Sequence, residues 1–208
     1  MIQLSDRAKK FIKDELREYL ESDDMWGVVN RIIEVRTSLF DTGPYDYSEE
    51  LANIAPFLLE LGVPLFDGMG DAVSKNLFSW SSELTSVSIP SHIKYIEKDA
   101  FYDCANLRHV QFEEGLKHIL QQAFHVCPNL TEIVLPASLE SLGNDAFAEC
   151  IKLKSVTFKS DVDVGRMSFY ACSITDIFVP KDLYVEGTPI YEFCQECKKH
   201  SRVNIHTY

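Results

Sequence analysis

Four residues near the end of the chain have the types and spacing of zinc ligands. Cys194 and Cys197 form a Cys-x-x-Cys pair, and His200 and His206 follow it. Structural Zn²⁺ sites use four thiolate or imidazole ligands in a tetrahedron. This chain has only one such pair, and Cys194 also occupies a place in a repeat described below. The sequence therefore favours a terminal cap that ends in a strand over 202–206, with a zinc site as the alternative.

The tripeptide Asp41-Thr42-Gly43 matches the sequence around the catalytic carboxylate of aspartic proteases. Those enzymes need two carboxylates face to face, whereas this tripeptide stands alone between two predicted helices and before Pro44. A turn is therefore favoured, with a hydrolase centred on Asp41 as the alternative. The six histidines occupy unrelated places, without a phosphate-binding loop or a Gly-x-Ser-x-Gly motif. We predict no enzymatic activity and no cofactor.

Length and charge restrict the partners of this protein. The chain has 208 residues, 46% of them hydrophobic, which is enough for a core without disulfides. It carries 32 acidic and 20 basic residues, a net charge of −12, and such a surface repels nucleic acid and anionic lipids. The N-terminal sequence does not resemble a signal peptide. We therefore expect a cytoplasmic protein that binds neither nucleic acid nor membrane, with a monomer favoured.

The second part of the chain contains a 23-residue repeat. Leu84, Leu107, Leu130 and Leu153 follow this period, and a further unit begins at Ile174 after a two-residue deletion. A β-branched residue recurs at position +3 after the leucine, an apolar residue at +5, phenylalanine at +17 and cysteine at +20. We call the last two positions the core ladder, which comprises Phe101, Phe124, Phe147, Phe169, Cys104, Cys127, Cys150, Cys172 and Cys194.

This repeat predicts a solenoid. Apolar residues at +3 and +5 place two side chains on the same face of a short strand, and a proline at +6 in three units ends that strand. Because one unit cannot bury its apolar edge alone, the units stack about 4.7–4.9 Å apart along a parallel sheet. The repeated cysteines then have a packing role as free thiols.

The unit from Leu84 to Cys104, Leu-Thr-Ser-Val-Ser-Ile-Pro-Ser-His-Ile-Lys-Tyr-Ile-Glu-Lys-Asp-Ala-Phe-Tyr-Asp-Cys, resembles the leucine-rich repeats of the BspA-like family. The resemblance covers about 77–195. It implies the α/β fold class, a right-handed β/α solenoid with a parallel sheet, and recognition of other proteins. Many members are secreted bacterial adhesins, which is the alternative function. Without an export signal, the chain is more similar to the short intracellular or phage-borne members.

The first 76 residues have a different pattern. Apolar residues at helical spacing predict helices over 5–21, 24–38 and 48–61, which form an all-α cap over 1–76 on the open end of the solenoid. A separate binding role for this region is the alternative. The predicted solenoid, 77–208, comprises a truncated unit over 77–83, units from 84, 107, 130, 153 and 174, and a C-terminal cap at about 195–208.

The side chains at +2 and +4 point out of the predicted sheet and define its concave face. They are mostly small and uncharged, and solenoids bind partners on such wide, rigid faces. Alternatively, they are ordinary strand residues, since Thr and Val favour strands. We predict a scaffold that binds another protein. Its predicted binding residues are Ser86, Ser88, His109, Gln111, Glu132, Val134, Ser155, Thr157, Asp176 and Phe178.

Overall fold

The computed structural model of the protein describes residues 70–200 and 202–208, together with the single residues 14, 27, 31 and 66. The three helices predicted for the N-terminal cap and the predicted turn at Asp41-Thr42-Gly43 lie outside these ranges, so the cap stays a prediction. Within the described part of the chain, no helix is both long enough and apolar enough to cross a membrane.

The described chain coils through short strands and one helix. In order these are β1 (Ala72–Val73), β2 (Ser86–Ile89), β3 (Tyr95–Ile96), β4 (His109–Phe112), β5 (His118–Ile119), β6 (Glu132–Val134), β7 (Ser141–Leu142), β8 (Ser155–Thr157), β9 (Asp163–Val164), β10 (Asp176–Val179), α1 (Pro189–His200) and β11 (Asn204–Thr207).

Every strand pairing is parallel. One side of the coils is the five-stranded sheet β1-β3-β5-β7-β9, and a second side holds the longer strands as a two-stranded sheet, β2-β4, and a four-stranded sheet, β6-β8-β10-β11. This arrangement confirms a parallel solenoid of about five turns. Since β1 pairs with β3, the structure extends the solenoid N-terminally of residue 77.

The strand register shows how the fourth unit absorbs its deletion. Glu132 pairs with Ser155, a full period away, whereas Ser155 pairs with Asp176, two residues short of a period. Ser141 pairs with Asp163, one residue short. One residue is therefore lost between β8 and β9 and the other between β9 and β10, so that each loss shortens a turn and leaves the strands in register.

Each coil before the one that contains α1 closes on its third side through two residues in the left-handed backbone region. Val126, for example, has a φ of 57° and Gln122 a φ of 58°, a conformation that costs a β-branched residue about 1–3 kcal/mol. The next coil holds both in place, because the Val126 N–H donates to the Ala148 carbonyl at 2.9 Å and the Gln122 N–H to the Asn144 carbonyl at 3.0 Å.

The core ladder forms continuous stacks between the sheets. The Phe124 ring lies 4.8 Å from that of Phe101 and 5.1 Å from that of Phe147, with each pair of planes within 2° of parallel. The Cys127 thiol donates to the Phe101 carbonyl at 3.3 Å, and the Cys150 thiol to the Phe124 carbonyl at 3.2 Å. Cysteine thus fills a small buried space and also supplies a hydrogen-bond donor to a buried carbonyl.

The C-terminal end of the solenoid is built by α1 and β11. Thr188 caps the helix, since its Oγ1 accepts from the Tyr191 N–H at 3.3 Å, and Pro189 occupies the first helical position. Ile190 and Cys194 are buried in the core. The C-terminal cap was predicted to begin at about residue 195. The helix begins earlier, at Pro189, because Thr188 and Pro189 cap its first turn.

Candidate functional site

The strands point alternate side chains away from the core. We call the surface made by these side chains on β2, β4, β6, β8, β10 and β11 the outer sheet face; it contains the predicted concave-face residues. The strand register arranges them in two rows. The polar row holds Ser86, His109, Glu132, Ser155, Asp176 and Asn204, and the mixed row holds Ser88, Gln111, Val134, Thr157, Phe178 and His206.

The outer sheet face is divided between β4 and β6, because these neighbouring strands belong to different sheets. Two core residues of β4, Val110 and Phe112, are only partly buried there, whereas their counterparts in β2, Val87 and Ile89, are buried. We call this break in strand pairing the β4–β6 seam. It lies between the polar residues on β2 and β4 and a larger C-terminal block on β6, β8, β10 and β11.

The C-terminal block contains a connected polar cluster. A hydrogen bond of 2.8 Å joins His206 Nε2 and Asp176 Oδ1, and the Asn204 side-chain amide donates to the same oxygen at 3.2 Å. The Thr175 hydroxyl donates to Asp176 Oδ2 at 2.8 Å. These hydrogen bonds, first of all the one from His206, hold the pKa of Asp176 below its usual value. The cluster keeps Asp176 ionised and fixes β11 against β10.

An apolar and aromatic strip lies beside this cluster. The exposed Val134, which shows 44% of its surface, is in register with Thr157, Phe178 and His206. The Phe178 ring stacks on the His206 imidazole with centroids 4.6 Å apart and planes 15° from parallel. We call these four residues the apolar strip. Apolar and aromatic side chains on a rigid sheet, next to oriented polar groups, suit contact with another macromolecule.

The structure does not bring together the three proposed zinc ligands whose side chains it describes, and the side chain of His200 lies outside the described residues. Cys194 is buried in the core, Cys197 is half-buried on α1, and His206 lies on the outer sheet face in contact with Asp176. Desolvation raises the pKa of Cys194 to about 12 and that of Cys197 to about 11, which disfavours the thiolates that zinc needs. In the described ranges, no group of three metal-ligating side chains could hold an ion. The described part of the chain therefore gives no support for the zinc alternative.

The remaining cysteines are also unsuited to covalent chemistry. All six thiols are free. Burial raises the pKa of Cys127 well above its usual value, and the contact with the Cys127 sulfur, together with burial, does the same for Cys150. Since the thiolate is the nucleophile, the raised pKa values disfavour nucleophilic chemistry at Cys127 and Cys150.

The histidines outside the cluster serve different sides of the solenoid. His118 stacks on Tyr95 and is hydrogen-bonded to the Ser141 hydroxyl at 2.9 Å. His125 lies 3.5 Å from a carboxylate oxygen of Glu149 on the third side. These contacts link neighbouring coils.

Two residues of the cluster were not predicted as part of the binding face. Asn204 and His206 continue the two rows from Asp176 and Phe178, but they follow 28 residues later because α1 is inserted between the strands. The repeat period therefore cannot identify them. The useful signal is local: Val203 and Ile205 alternate with these polar residues, as in a strand with one buried face.

Comparison with protein families gives a match to the BspA type leucine rich repeat region, with six copies over residues 71–198. This match covers more than half of the chain and the whole solenoid except β11. Comparison with curated proteins gives no match.

Two solved structures of leucine-rich repeat proteins are similar to this chain. A protein from T. pallidum is 31% identical over 51% of each chain, with a TM-score of 0.50. A protein from Bacteroides ovatus is 20% identical over 66% of this chain and 34% of its own, with a TM-score of 0.51, and shows the fold alone. The chain thus spans about half the length of the first protein and about a third of the second.

Proposed function

Because the chain belongs to the BspA-type leucine-rich-repeat family, we propose that it is a non-enzymatic scaffold that binds another protein through the C-terminal block of its outer sheet face. Repeat proteins of this family generally bind other proteins. The observation that carries the choice of surface is the apolar strip, Val134, Thr157, Phe178 and His206, which lies in register across four hydrogen-bonded strands.

The geometry of this block favours a protein over a metabolite. Small-molecule sites are concave and bury most of their ligand, whereas the outer sheet face is an extended surface of side chains on paired strands. Protein interfaces have centres rich in aromatic and apolar residues and depleted in charge, with polar residues around them. The apolar strip would supply such a centre, and Glu132, Ser155 and Asp176 would supply the polar rim.

Rigidity supports the same proposal. The strands below the strip are joined by backbone hydrogen bonds, and Phe178 is held against His206, which is held by Asp176. A surface that is already ordered loses little conformational entropy on binding. The rim carries the carboxylates of Glu132 and Asp176, so we propose a partner surface with an apolar centre and basic or hydrogen-bond-donating edges.

The experiment is an affinity capture from lysate of the source cell. Wild type is compared with the double variant Val134→Arg/Phe178→Arg, which places two charges in the strip. The matched control is Ile151→Arg/Val185→Arg, which adds the same charges at two exposed apolar residues outside the outer sheet face, 54% and 52% exposed.

We expect the strip variant to lose a captured protein by at least about tenfold while the control retains it, with all three melting temperatures close together. Equal capture by the strip variant would contradict the proposed surface and direct attention to the N-terminal region.

A further inference from the structure

The last strand, β11, has one unpaired edge. Its first edge pairs with β10 over Asn204–Thr207. On the other edge, the described part of the chain contains no further strand. An edge strand of this kind presents a row of free N–H and C=O groups and is a template for pairing with another strand.

The backbone hydrogen bonds between β10 and β11 identify which residues face outward. The Asn204 N–H donates to the Thr175 carbonyl at 2.8 Å, and the Tyr208 N–H donates to the Val179 carbonyl at 3.2 Å. Even-numbered residues of this segment therefore bond to β10. Since successive residues of a strand alternate, the backbone groups of Val203, Ile205 and Thr207 point away from the solenoid.

This edge lacks the features that normally prevent strand pairing. Soluble proteins protect free edges with proline, lysine, a bulge or an inward charge. The segment Val203-Asn204-Ile205-His206-Thr207 contains none of these residues, and β11 keeps an unbroken register with β10. Within the described part of the chain, the edge is therefore unbroken and uncharged over residues 203–207.

We propose that two copies of this chain associate by antiparallel pairing of their β11 strands about a two-fold axis at Ile205. In this register Ile205 faces Ile205 of the second copy, and Val203 faces Thr207. All three are residues with outward backbone groups, so each facing pair exchanges both of its hydrogen bonds, about six in total. The edge is thus self-complementary, and the two four-stranded sheets join into one.

Side chains and charge are compatible with this register. Asn204 of one copy faces His206 of the other, and both are polar and exposed. Arg202, the charged residue next to the edge, faces the uncharged Tyr208. The two Arg202 residues are separated by six strand positions, about 20 Å, which is beyond the screening length of about 8 Å at physiological salt. Like charges therefore do not oppose each other at the contact.

The contact is small, and this determines the expected affinity. One strand edge with its flanking side chains falls below the roughly 1,200 Å² of buried surface that marks stable complexes. The dimer is therefore weak and forms as concentration rises, in contrast to the monomer that the sequence favours. The proposal does not depend on binding to the outer sheet face, since it uses the outward backbone groups of Val203, Ile205 and Thr207, none of which belongs to the apolar strip.

Sedimentation velocity of the full chain at protein concentrations of about 5 to 500 µM tests the proposal. Proteins with weak interfaces associate in this range. The test variant is Thr207→Pro, which removes an outward N–H without removing a bond to β10, and the matched control is Thr207→Ala, which retains that N–H. We expect wild type and Thr207→Ala to form dimers at high concentration and Thr207→Pro to lose dimers by about tenfold or more. A monomeric wild type throughout, or equal dimerisation of Thr207→Pro, would overturn it.

A cross-linking experiment tests the register independently of the proline variant. Asn204→Cys and His206→Cys are prepared as separate proteins and oxidised with copper phenanthroline, alone and as an equal mixture. Residues 204 and 206 face each other only between antiparallel copies in this register, at a closely spaced pair position. We expect a disulfide-linked dimer mainly in the mixture.

If either variant alone gave as much disulfide-linked dimer as the mixture does, the proposed register would be rejected. The same sedimentation assay on Val134→Arg/Phe178→Arg separates the two proposals, because that variant should lose the protein partner and still dimerise.

Discussion

The thiol of Cys150 donates a hydrogen bond to the carbonyl oxygen of Phe124, 3.2 Å away in the preceding coil. The same contact joins Cys104 to Phe78 at 3.0 Å and Cys172 to Phe147 at 3.1 Å. Each phenylalanine thus packs its ring on the next ring and has its carbonyl satisfied by the next cysteine. The two positions of the core ladder are therefore one structural unit rather than two adjacent stacks.

The hydrogen bond predicts different effects for two replacements of Cys150. Serine retains a donor for the Phe124 carbonyl, whereas alanine leaves that buried carbonyl without its partner, which costs about 1–3 kcal/mol. We expect Cys150→Ala to be more destabilising than Cys150→Ser in urea unfolding. The reverse order would show that the cysteine acts only by filling space.

The stacked rings predict a large loss when one is removed. Phe124 is fully buried between Phe101 and Phe147, so Phe124→Ala opens a cavity between coils and should cost about 3–5 kcal/mol. Phe124→Leu, which retains much of the volume, should cost less. Chemical denaturation of both variants at one pH measures the difference, and equal small losses would contradict the stacked arrangement.

The sequence was sufficient to predict this ladder because the repeat fixes which positions point inward. Leu84, Leu107 and Leu130 define a period of 23 residues. A residue type that recurs with this period lies next to its equivalent in the following coil. Residues outside the 23-residue period could not be placed in this way. Asn204 and His206 follow α1 instead of a standard return arm, and their place beside Asp176 depends on how the helix closes the last coil.

The β4–β6 seam was not predictable for a different reason. The unit from Leu107 fits the repeat template at +3 and +5 with Val110 and Phe112, so its side chains indicate an ordinary coil. The division lies in the strand pairing of neighbouring coils, which a one-dimensional pattern of side chains does not encode. The predicted binding residues therefore fall into two blocks rather than one continuous row.

The seam predicts a local difference in hydrogen exchange. Because β4 and β6 are not paired with each other while β8 is paired on both sides, amide protons at the seam lack the protection of a continuous ladder. We expect peptides covering β4 and β6 to exchange faster in the native state than those covering β8. Equal protection would mean that the sheet is continuous in solution.

The buried thiols predict a loss of stability at alkaline pH. Desolvation raises the folded pKa of Cys197 to about 11 and that of Cys194 to about 12, above the unfolded value of about 8.5. The folded state then binds protons more tightly. The contribution of these protonated thiols to the free energy of unfolding is complete below about pH 8.5. It is lost as the pH rises through the folded pKa values, by at most about 1.4 kcal/mol per pH unit for each thiol.

Urea unfolding of wild type and Cys197→Ser from pH 8 to 11 measures this effect. We expect the variant to lose stability less steeply as pH rises, because one titrating thiol is gone. Identical slopes would show that neither the burial nor the titration of Cys197 contributes.

The most direct test of the proposed function is site-specific photo-cross-linking in the source cell. A benzophenone amino acid is placed at Val134, in the apolar strip, and in a separate protein at Val185, which is similarly exposed on another surface. We expect a discrete protein adduct from Val134 and none from Val185. Adducts from Val185 alone, or the same adduct from both positions, would contradict binding through the outer sheet face.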